Sequence, residues 1–146
     1  NEVTKTYLAI AHGHAEREGQ IAEPVQAKRA ITNYKTLKVV PSKIFQYLSL
    51  IELQPITGRT HQLRIHLNNS GHVIMGDKEY AGRQRTILGK GLFLCACQLE
   101  FAHPITKEPM HLKIDPPKRF LKTLERESGR TSKRGGRRPA KKKMRR

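Results

Sequence analysis

Residues 55–67 read Pro-Ile-Thr-Gly-Arg-Thr-His-Gln-Leu-Arg-Ile-His-Leu, and this stretch decides how the chain folds. It follows residues 47–53, which are rich in β-forming side chains and too short for a confident helix, so they predict a strand. The Thr-Gly pair inside the stretch predicts a tight turn. Residues 60–69 then predict a short helix with Thr60 as its N-cap, and Gly71 is expected to end that helix in a left-handed conformation.

The predicted helix has an apolar face and a polar face. Leu63 and Leu67 are four residues apart and share one face, whereas His61 and Arg64 lie on another. Unpaired backbone N–H groups at the start of a helix, with Arg59 beside them, favour an anion such as a phosphate. An ordinary surface helix with solvated charges has the same pattern, so the spacing alone leaves both interpretations open.

The charge of the chain points to a polyanionic partner. The formal net charge is +17 over 146 residues, and ten Lys or Arg residues without any acid lie in 129–146. Residues 1–128 still carry +7, so the predicted folded part is basic as well. We predict binding to RNA or DNA rather than to a membrane, because no amphipathic lipid-binding helix is evident. The alternative is a solubilising tail on a neutral-surfaced domain.

Length and composition predict one domain over residues 1–128 followed by a basic, disordered tail over 129–146. No apolar run has the length of a membrane span or a signal peptide, so we expect a soluble, intracellular protein and take the cytoplasm as its compartment. Cys95 and Cys97 are the only cysteines, and we expect free thiols. Neither this pair nor the pair His12 and His14 has a further ligand at metal-binding spacing, so no metal is expected.

Hydrophobic patterning predicts an α+β fold with a mixed, mainly antiparallel sheet. The residues from 30 to 40 alternate loosely, with Ile31, Leu37 and Val39 on one parity, and a break is expected at Pro41 and Ser42. Strands are predicted at 4–11, 30–40, 45–53, 92–101 (as a central strand) and 110–114, and a second helix is predicted at 118–127 with Phe120, Leu121 and Leu124 inward.

A long, ordered motif matches a known family. Residues 57–67, followed by Gly-His-Val-Ile-Met-Gly-Asp-Lys-Glu-Tyr at 71–80, resemble the signature of the RluA-type pseudouridine synthases, which isomerise uridine in ribosomal or transfer RNA. The resemblance extends back to Lys-Thr-Tyr-Leu-Ala at 5–9 and forward to Leu-Cys-Ala at 94–96 and to His103-Pro104. It implies the C-terminal part of that catalytic domain, a sheet incomplete at its N-terminal side, a monomer when complete, and no cofactor.

The resemblance also implies roles for individual residues. Tyr7 matches the tyrosine that stacks on the target base, and Arg64 matches the arginine that pairs with the catalytic Asp. Asp77 matches a structural position. Contacts to RNA are expected from Arg59, Arg83 and Arg85 as phosphate-binding cations and from His61 and Gln62 as their polar neighbours.

The family's nucleophile is missing from the chain. It lies in an Arg-Leu-Asp motif upstream of the Lys-x-Tyr strand, and no such tripeptide occurs in these residues. A second departure is Cys95, where the family usually has His. We therefore predict that this chain has no isomerase activity alone. The alternative is a non-catalytic RNA-binding or ribosome-associated protein on the same scaffold.

Overall fold

The computed structural model describes residues 3–81 and 90–132, the last three through their backbone only. The fold is α+β, as predicted. Its elements are β1 (Thr4–His12), β2 (Glu18–Ile21), β3 (Thr32–Ser42), β4 (Gln46–Pro55), α1 (Gln62–Asn69), β5 (Leu94–Ala102), β6 (Pro109–Lys113) and α2 (Lys118–Ser132).

The strands form one six-stranded sheet in the order β2-β3-β4-β1-β5-β6. All neighbouring strands are antiparallel, which confirms the predicted character of the sheet for the described part of the chain. β5 was predicted as a central strand and lies one position from the edge, because β6 pairs with its outer side. β1 occupies the interior, where Tyr7 lies opposite Leu53 on β4 and Ala96 on β5.

The two helices cover opposite faces of the sheet. In β3 the pairing register shifts between Thr36 and Lys38, which makes a bulge and turns the later part of the strand over. Thr32 therefore faces α1, and Ser42 faces α2, where its hydroxyl donates to Glu127. α1 buries Leu63 and Leu67 in the core, and α2 buries Phe120 and Leu124 there.

The same bulge overturns one prediction about β3. Ile31, Leu37 and Val39 were expected inward, but Leu37 lies at the bulge with 45% of its surface exposed. Thr32 and Val40 are buried instead. A residue inserted into a strand interrupts its period-2 alternation, so the shared parity of Ile31, Leu37 and Val39 predicted the wrong face of β3.

The predicted strand break at Pro41 and Ser42 is also wrong. β3 continues through both residues and pairs Pro41 with Tyr47, and the turn lies at 43–45. β2 pairs with β3 only as far as Lys35, so the other side of β3 at Pro41 has no described strand. A proline without an N–H is tolerated at such an edge.

α2 differs from its prediction at two points. It runs to Ser132, so its last turn includes the first residues of the predicted disordered tail. Residues 133–146 lie outside the described part. Phe120 and Leu124 are buried as predicted, but Leu121 is 56% exposed, and Thr123 and Glu127 complete the buried i, i+3, i+4, i+7 stripe instead.

Two smaller expectations can also be compared with the structure. Both cysteines are free, as predicted, with Cys97 buried in β5 and Cys95 partly exposed. Neither α1 nor α2 has the length and apolar character that a bilayer crossing requires, and this statement covers the described residues only.

Candidate functional site

The turn between β4 and α1 is held from inside by Gln62. Its Oε1 accepts hydrogen bonds from Thr57 Oγ1 at 2.6 Å and from the Arg59 backbone N–H at 3.1 Å. Its Nε2 donates to Ile31 O at 2.9 Å and to Thr32 Oγ1 at 3.0 Å. These four bonds use the full capacity of a glutamine amide. Gln62, for which an RNA contact was predicted, is only 4% exposed, and its amide holds the turn together at the edge of the cleft described below.

The helix does not begin as predicted. Its N-cap is His61 rather than Thr60, and His61 adopts a left-handed conformation with φ 53° and no capping side chain. The Gln62 N–H already donates to Arg59 O at 3.1 Å, so one of the backbone donors expected at the helix start is occupied. The turn is fixed by the Gln62 side chain, which has no counterpart in local capping rules.

The C-terminal end of α1 follows the prediction. Gly71 has φ 83°, and its N–H donates to Asn68 O. The His72 N–H donates to Leu67 O, which completes a Schellman motif. Glycine is needed at this position because an L side chain is strained at such a positive φ.

His66 sets the rotation of α1 about its own axis. It is fully buried, with Nδ1 2.9 Å from Thr32 Oγ1 and Nε2 2.8 Å from Glu23 O. Leu63 and Leu67 pack into the core beside it. With this face fixed inward, His61 and Arg64 are directed to the open side of the helix.

A cleft of about 420 Å³ lies between β1, the turn and the open side of α1. It is lined by every described residue for which a site role was predicted. Arg83 and Arg85, which were also predicted to contact RNA, lie outside the described residues. The lining residues with polar or aromatic side chains are Lys5, Tyr7, Thr57, Arg59, His61, Gln62 and Arg64, and apolar walls come from Val3, Pro55, Ile56, Leu63 and Leu94.

Arg64 is held by a bidentate ion pair. Its Nε donates to Asp77 Oδ2 at 2.9 Å and its Nη2 to Asp77 Oδ1 at 2.8 Å, and Nη2 also reaches Glu79 Oε2 at 3.2 Å. The Asp77 side chain is 0% exposed and that of Arg64 is 18% exposed. The hydrogen bond to Asp77 raises the pKa of Arg64 further above its already high value.

The carboxylate of Asp77 remains ionised in this pair. Burial by itself raises its pKa, but the hydrogen bond from Arg64 and the backbone N–H of Tyr80 lower the pKa, and together with the Arg64 charge they outweigh burial. The Tyr80 N–H donates to Asp77 Oδ1 at 3.2 Å. Both carboxylate oxygens are therefore occupied by local donors.

Two groups in the cleft keep open hydrogen-bonding capacity. Arg64 Nη1 has no acceptor among the described residues, although Nε and Nη2 are both bonded. The half-buried Tyr7 packs against the core, and no described residue bonds its hydroxyl. The cleft thus offers an aromatic ring and an unused guanidinium donor. This combination suits a planar ligand that is negatively charged or that binds next to a negatively charged group.

Comparisons with known proteins identify the family of the chain. A family model described as RNA pseudouridylate synthase matches residues 1–69. The chain is 37% identical over 131 residues to the dual-specificity RNA pseudouridine synthase RluA of Pasteurella multocida, and the match covers 79% of this chain and 58% of that protein. The chain belongs to the RluA-type pseudouridine synthase family. The protein of the same name from Haemophilus influenzae is 36% identical over 125 residues, with 75% and 55% covered.

Solved structures of this family share the fold. Human RNA pseudouridylate synthase domain containing 1 superposes with a TM-score of 0.65 at 30% identity, covering 84% of this chain and 57% of that one. Human RNA pseudouridylate synthase domain containing 4 gives a TM-score of 0.64 at 25% identity. The chain spans little more than half the length of the curated RluA-type relatives described above.

One residue that lines this RluA-type cleft, and two that contact its lining residues from outside, had no predicted role in the site. Lys5 lines the cleft, and the period of a strand would have placed it on the same face as Tyr7. Asp77 was expected to be structural, but its partnership with Arg64 was not foreseen. Tyr80 had no role in the sequence analysis beyond being the last residue of the motif at 71–80. Nothing local links Arg64 to positions 77–80, so no sequence signal identified these contacts.

Proposed function

We propose that this chain carries the base-binding part of a pseudouridine synthase site that acts on uridine in structured ribosomal or transfer RNA. The observation that supports this most directly is the cleft that brings Tyr7, Arg59, His61 and Arg64 together. The names of two relatives support the substrate class, since one is a dual-specificity RNA pseudouridine synthase and another is a tRNA pseudouridine synthase C.

Each cleft residue has a distinct task in this proposal. Isomerisation needs the target nucleotide to leave the base stack, and an aromatic ring then supports the extruded base. Tyr7 provides that ring. Arg59 and His61 contact the backbone phosphates, and Arg83 and Arg85 add to them on the basis of sequence alone. Arg64 directs its free Nη1 toward the catalytic carboxylate and keeps that group ionised.

The reaction breaks the bond from C1′ to N1 of uridine and forms a bond from C1′ to C5. C5 loses its proton to solvent, and N1 takes up a proton in its place, so the product is an isomer of the substrate. A covalent route of this kind needs a nucleophile, and the family resemblance assigns that role to an aspartate. Asp77 cannot serve, because its side chain is 0% exposed and both its oxygens are bonded. Asp115, the other aspartate, is exposed in the segment before α2 and does not line the cleft.

We therefore propose that the chain by itself binds RNA and does not isomerise uridine. The test is tritium release from structured RNA labelled at uridine C5, run with this polypeptide alone beside a fluorescence-anisotropy measurement of RNA binding. We expect saturable binding without release. Release above the background of a heat-denatured sample contradicts the proposed inactivity, and failure to bind any structured RNA contradicts the proposed function.

A non-catalytic RNA-binding protein on the same scaffold is the second candidate. The presence of Arg64 would argue for an enzyme if this residue had no other task, but the ion pair with Asp77 gives it a structural one. The intact mass of the native polypeptide separates the two candidates. A native product that includes an Arg-Leu-Asp segment ahead of Lys5 supports the enzyme, and a native product that begins at Asn1 supports the binding protein.

We further propose that the complete protein works in the cytoplasm as a monomer and without a metal or cofactor. The described residues contain no group of three or more potential metal ligands. Size-exclusion chromatography with light scattering tests the monomer, and retention of activity after dialysis against a chelator tests the proposed independence of metal.

A further inference from the structure

Tyr80 contacts two residues that line the cleft, Arg64 and His61, and the aspartate that pairs with Arg64. Its ring lies 4.9 Å from the Arg64 guanidinium carbon, in cation–π geometry. Its hydroxyl lies 2.9 Å from His61 Nδ1, and the two rings meet edge to face with an interplanar angle of 85°. Its backbone N–H donates to Asp77, which pairs with Arg64. Tyr80 itself does not line the cleft.

His61 needs such support more than an ordinary surface residue does. Its φ of 53° lies in the left-handed region, where the backbone of a residue other than glycine is strained. No capping side chain holds it, and its side chain is 40% exposed. Its other described partner is Glu79, whose carboxylate lies 3.9 Å from Nδ1 and is 59% exposed. The Tyr80 hydroxyl is therefore the short, directional contact on this ring.

The same tyrosine restricts the motion that Asp77 leaves to the Arg64 guanidinium. Asp77 fixes two of its nitrogens, but both bonds lie on one edge of the guanidinium. The Tyr80 ring limits how far the plane can tilt about that edge, and this tilt sets where Nη1 points.

We propose that Tyr80 is the positioning residue of the cleft, fixing the His61 ring through its hydroxyl and the Arg64 plane through its ring, so that both meet RNA in one geometry. This inference rests on the proposed function only in naming RNA as the ligand. The contacts that position the two groups exist without it.

The experiment separates the hydroxyl from the ring. Tyr80→Phe removes the bond to His61 and keeps the ring over Arg64, whereas Tyr80→Leu removes both. Tyr47→Phe is the matched control, since Tyr47 also packs edge-on against a histidine, His14, but lies outside the cleft. All variants are made in this 146-residue chain, and thermal unfolding is recorded for each.

The first readout needs no RNA. In a 15N-labelled sample, the two ring nitrogens of His61 are expected to change chemical shift in Tyr80→Phe and to stay unchanged in Tyr47→Phe. The Arg64 Nε–H signal is expected to exchange with solvent severalfold faster in Tyr80→Leu than in Tyr80→Phe. The proposal is overturned, whatever the chain binds, if the His61 nitrogen shifts are unchanged in Tyr80→Phe. It is also overturned if the Arg64 Nε–H exchanges equally fast in Tyr80→Phe and Tyr80→Leu.

The second readout is affinity for a fluorescein-labelled RNA hairpin. Loss of one hydrogen bond that positions a contact group predicts about fivefold weaker binding for Tyr80→Phe. His61→Ala weakens binding as well, and adding Tyr80→Phe to it changes nothing further, because the hydroxyl acts through His61. Additive losses show a general structural role and refute the proposal. A wild-type chain that binds no RNA refutes the proposed function instead, and the nitrogen shifts still decide the role of Tyr80.

Discussion

Replacing Asp77 by asparagine tests the central ion pair directly. Asp77→Asn keeps the shape of the side chain and can still accept the Tyr80 N–H, but it removes the charge that Arg64 faces. Only one of the two short bonds to Arg64 can then be formed by an oxygen, because the other oxygen becomes an NH₂ donor. An arginine that is 18% exposed is left facing an amide hydrogen.

The expected cost follows from burial. Breaking a buried ion pair by removing one partner costs about 3–5 kcal/mol when both groups are fully enclosed. Here Asp77 is 0% exposed but Arg64 keeps some contact with water and with Glu79 at 3.2 Å, so we expect about 2–3 kcal/mol. The contribution of Asp77 to the stability of the wild-type chain depends on pH. The pKa of Asp77 is lowered in the fold, so its contribution is present above the pKa of the unfolded state and is lost as pH falls through the lower pKa of the folded state.

Urea unfolding at pH 7 measures this cost, with Glu79→Gln as the control. Glu79 contacts the same Arg64 nitrogen but is 59% exposed, so its removal is expected to cost less than about 1 kcal/mol. Asp77→Asn should also reduce the decrease in the free energy of unfolding at low pH, whereas Glu79→Gln should retain most of this decrease. Equal midpoints for the two variants would refute the assignment of Asp77 as the main anchor of Arg64.

Three further predictions concern other parts of the chain. Burial lowers the pKa of His12 from 6.5 to about 4, so the unfolded state takes up a proton at a higher pH than the folded state does. The free energy of unfolding should therefore fall by at most about 3 kcal/mol as pH drops from 6.5 to 4. His12→Phe keeps the stack on Phe45 and should reduce this fall, as measured by thermal unfolding at several pH values. Tyr7→Leu should weaken RNA binding about tenfold in anisotropy titrations, whereas Tyr7→Phe should bind like the wild type, since stacking is worth ~1–3 kcal/mol and the hydroxyl has no described partner. The outer strand β6 exposes Leu112 by 52%, and Ile114 just after it by 60%, so the chain should self-associate with rising concentration, and Leu112→Lys should reduce the apparent mass in light scattering; a monodisperse wild-type chain would contradict this.

Local features of the fold were predictable because their causes are local. The β3–β4 hairpin, the end of α1 at Gly71 and the burial of Phe120 and Leu124 follow from alternation, from the left-handed preference of glycine and from helical spacing. The errors have non-local causes. The bulge at Leu37 and the passage of β3 through Pro41 depend on which strands lie beside β3, which no window of the sequence contains.

The sequence by itself determined the family, the α+β class and five of the residues that line the cleft, because the motif around α1 is contiguous and a strand and a helix display residues with fixed periods. Only the tertiary structure decided what those residues do there. Gln62 became an internal brace because Ile31 and Thr32 lie within its reach, thirty or more positions away in the chain. Arg64 found Asp77 and Tyr80 for the same reason: hydrogen bonds and ring contacts act over a few ångströms, and packing alone determines which distant residues come that close.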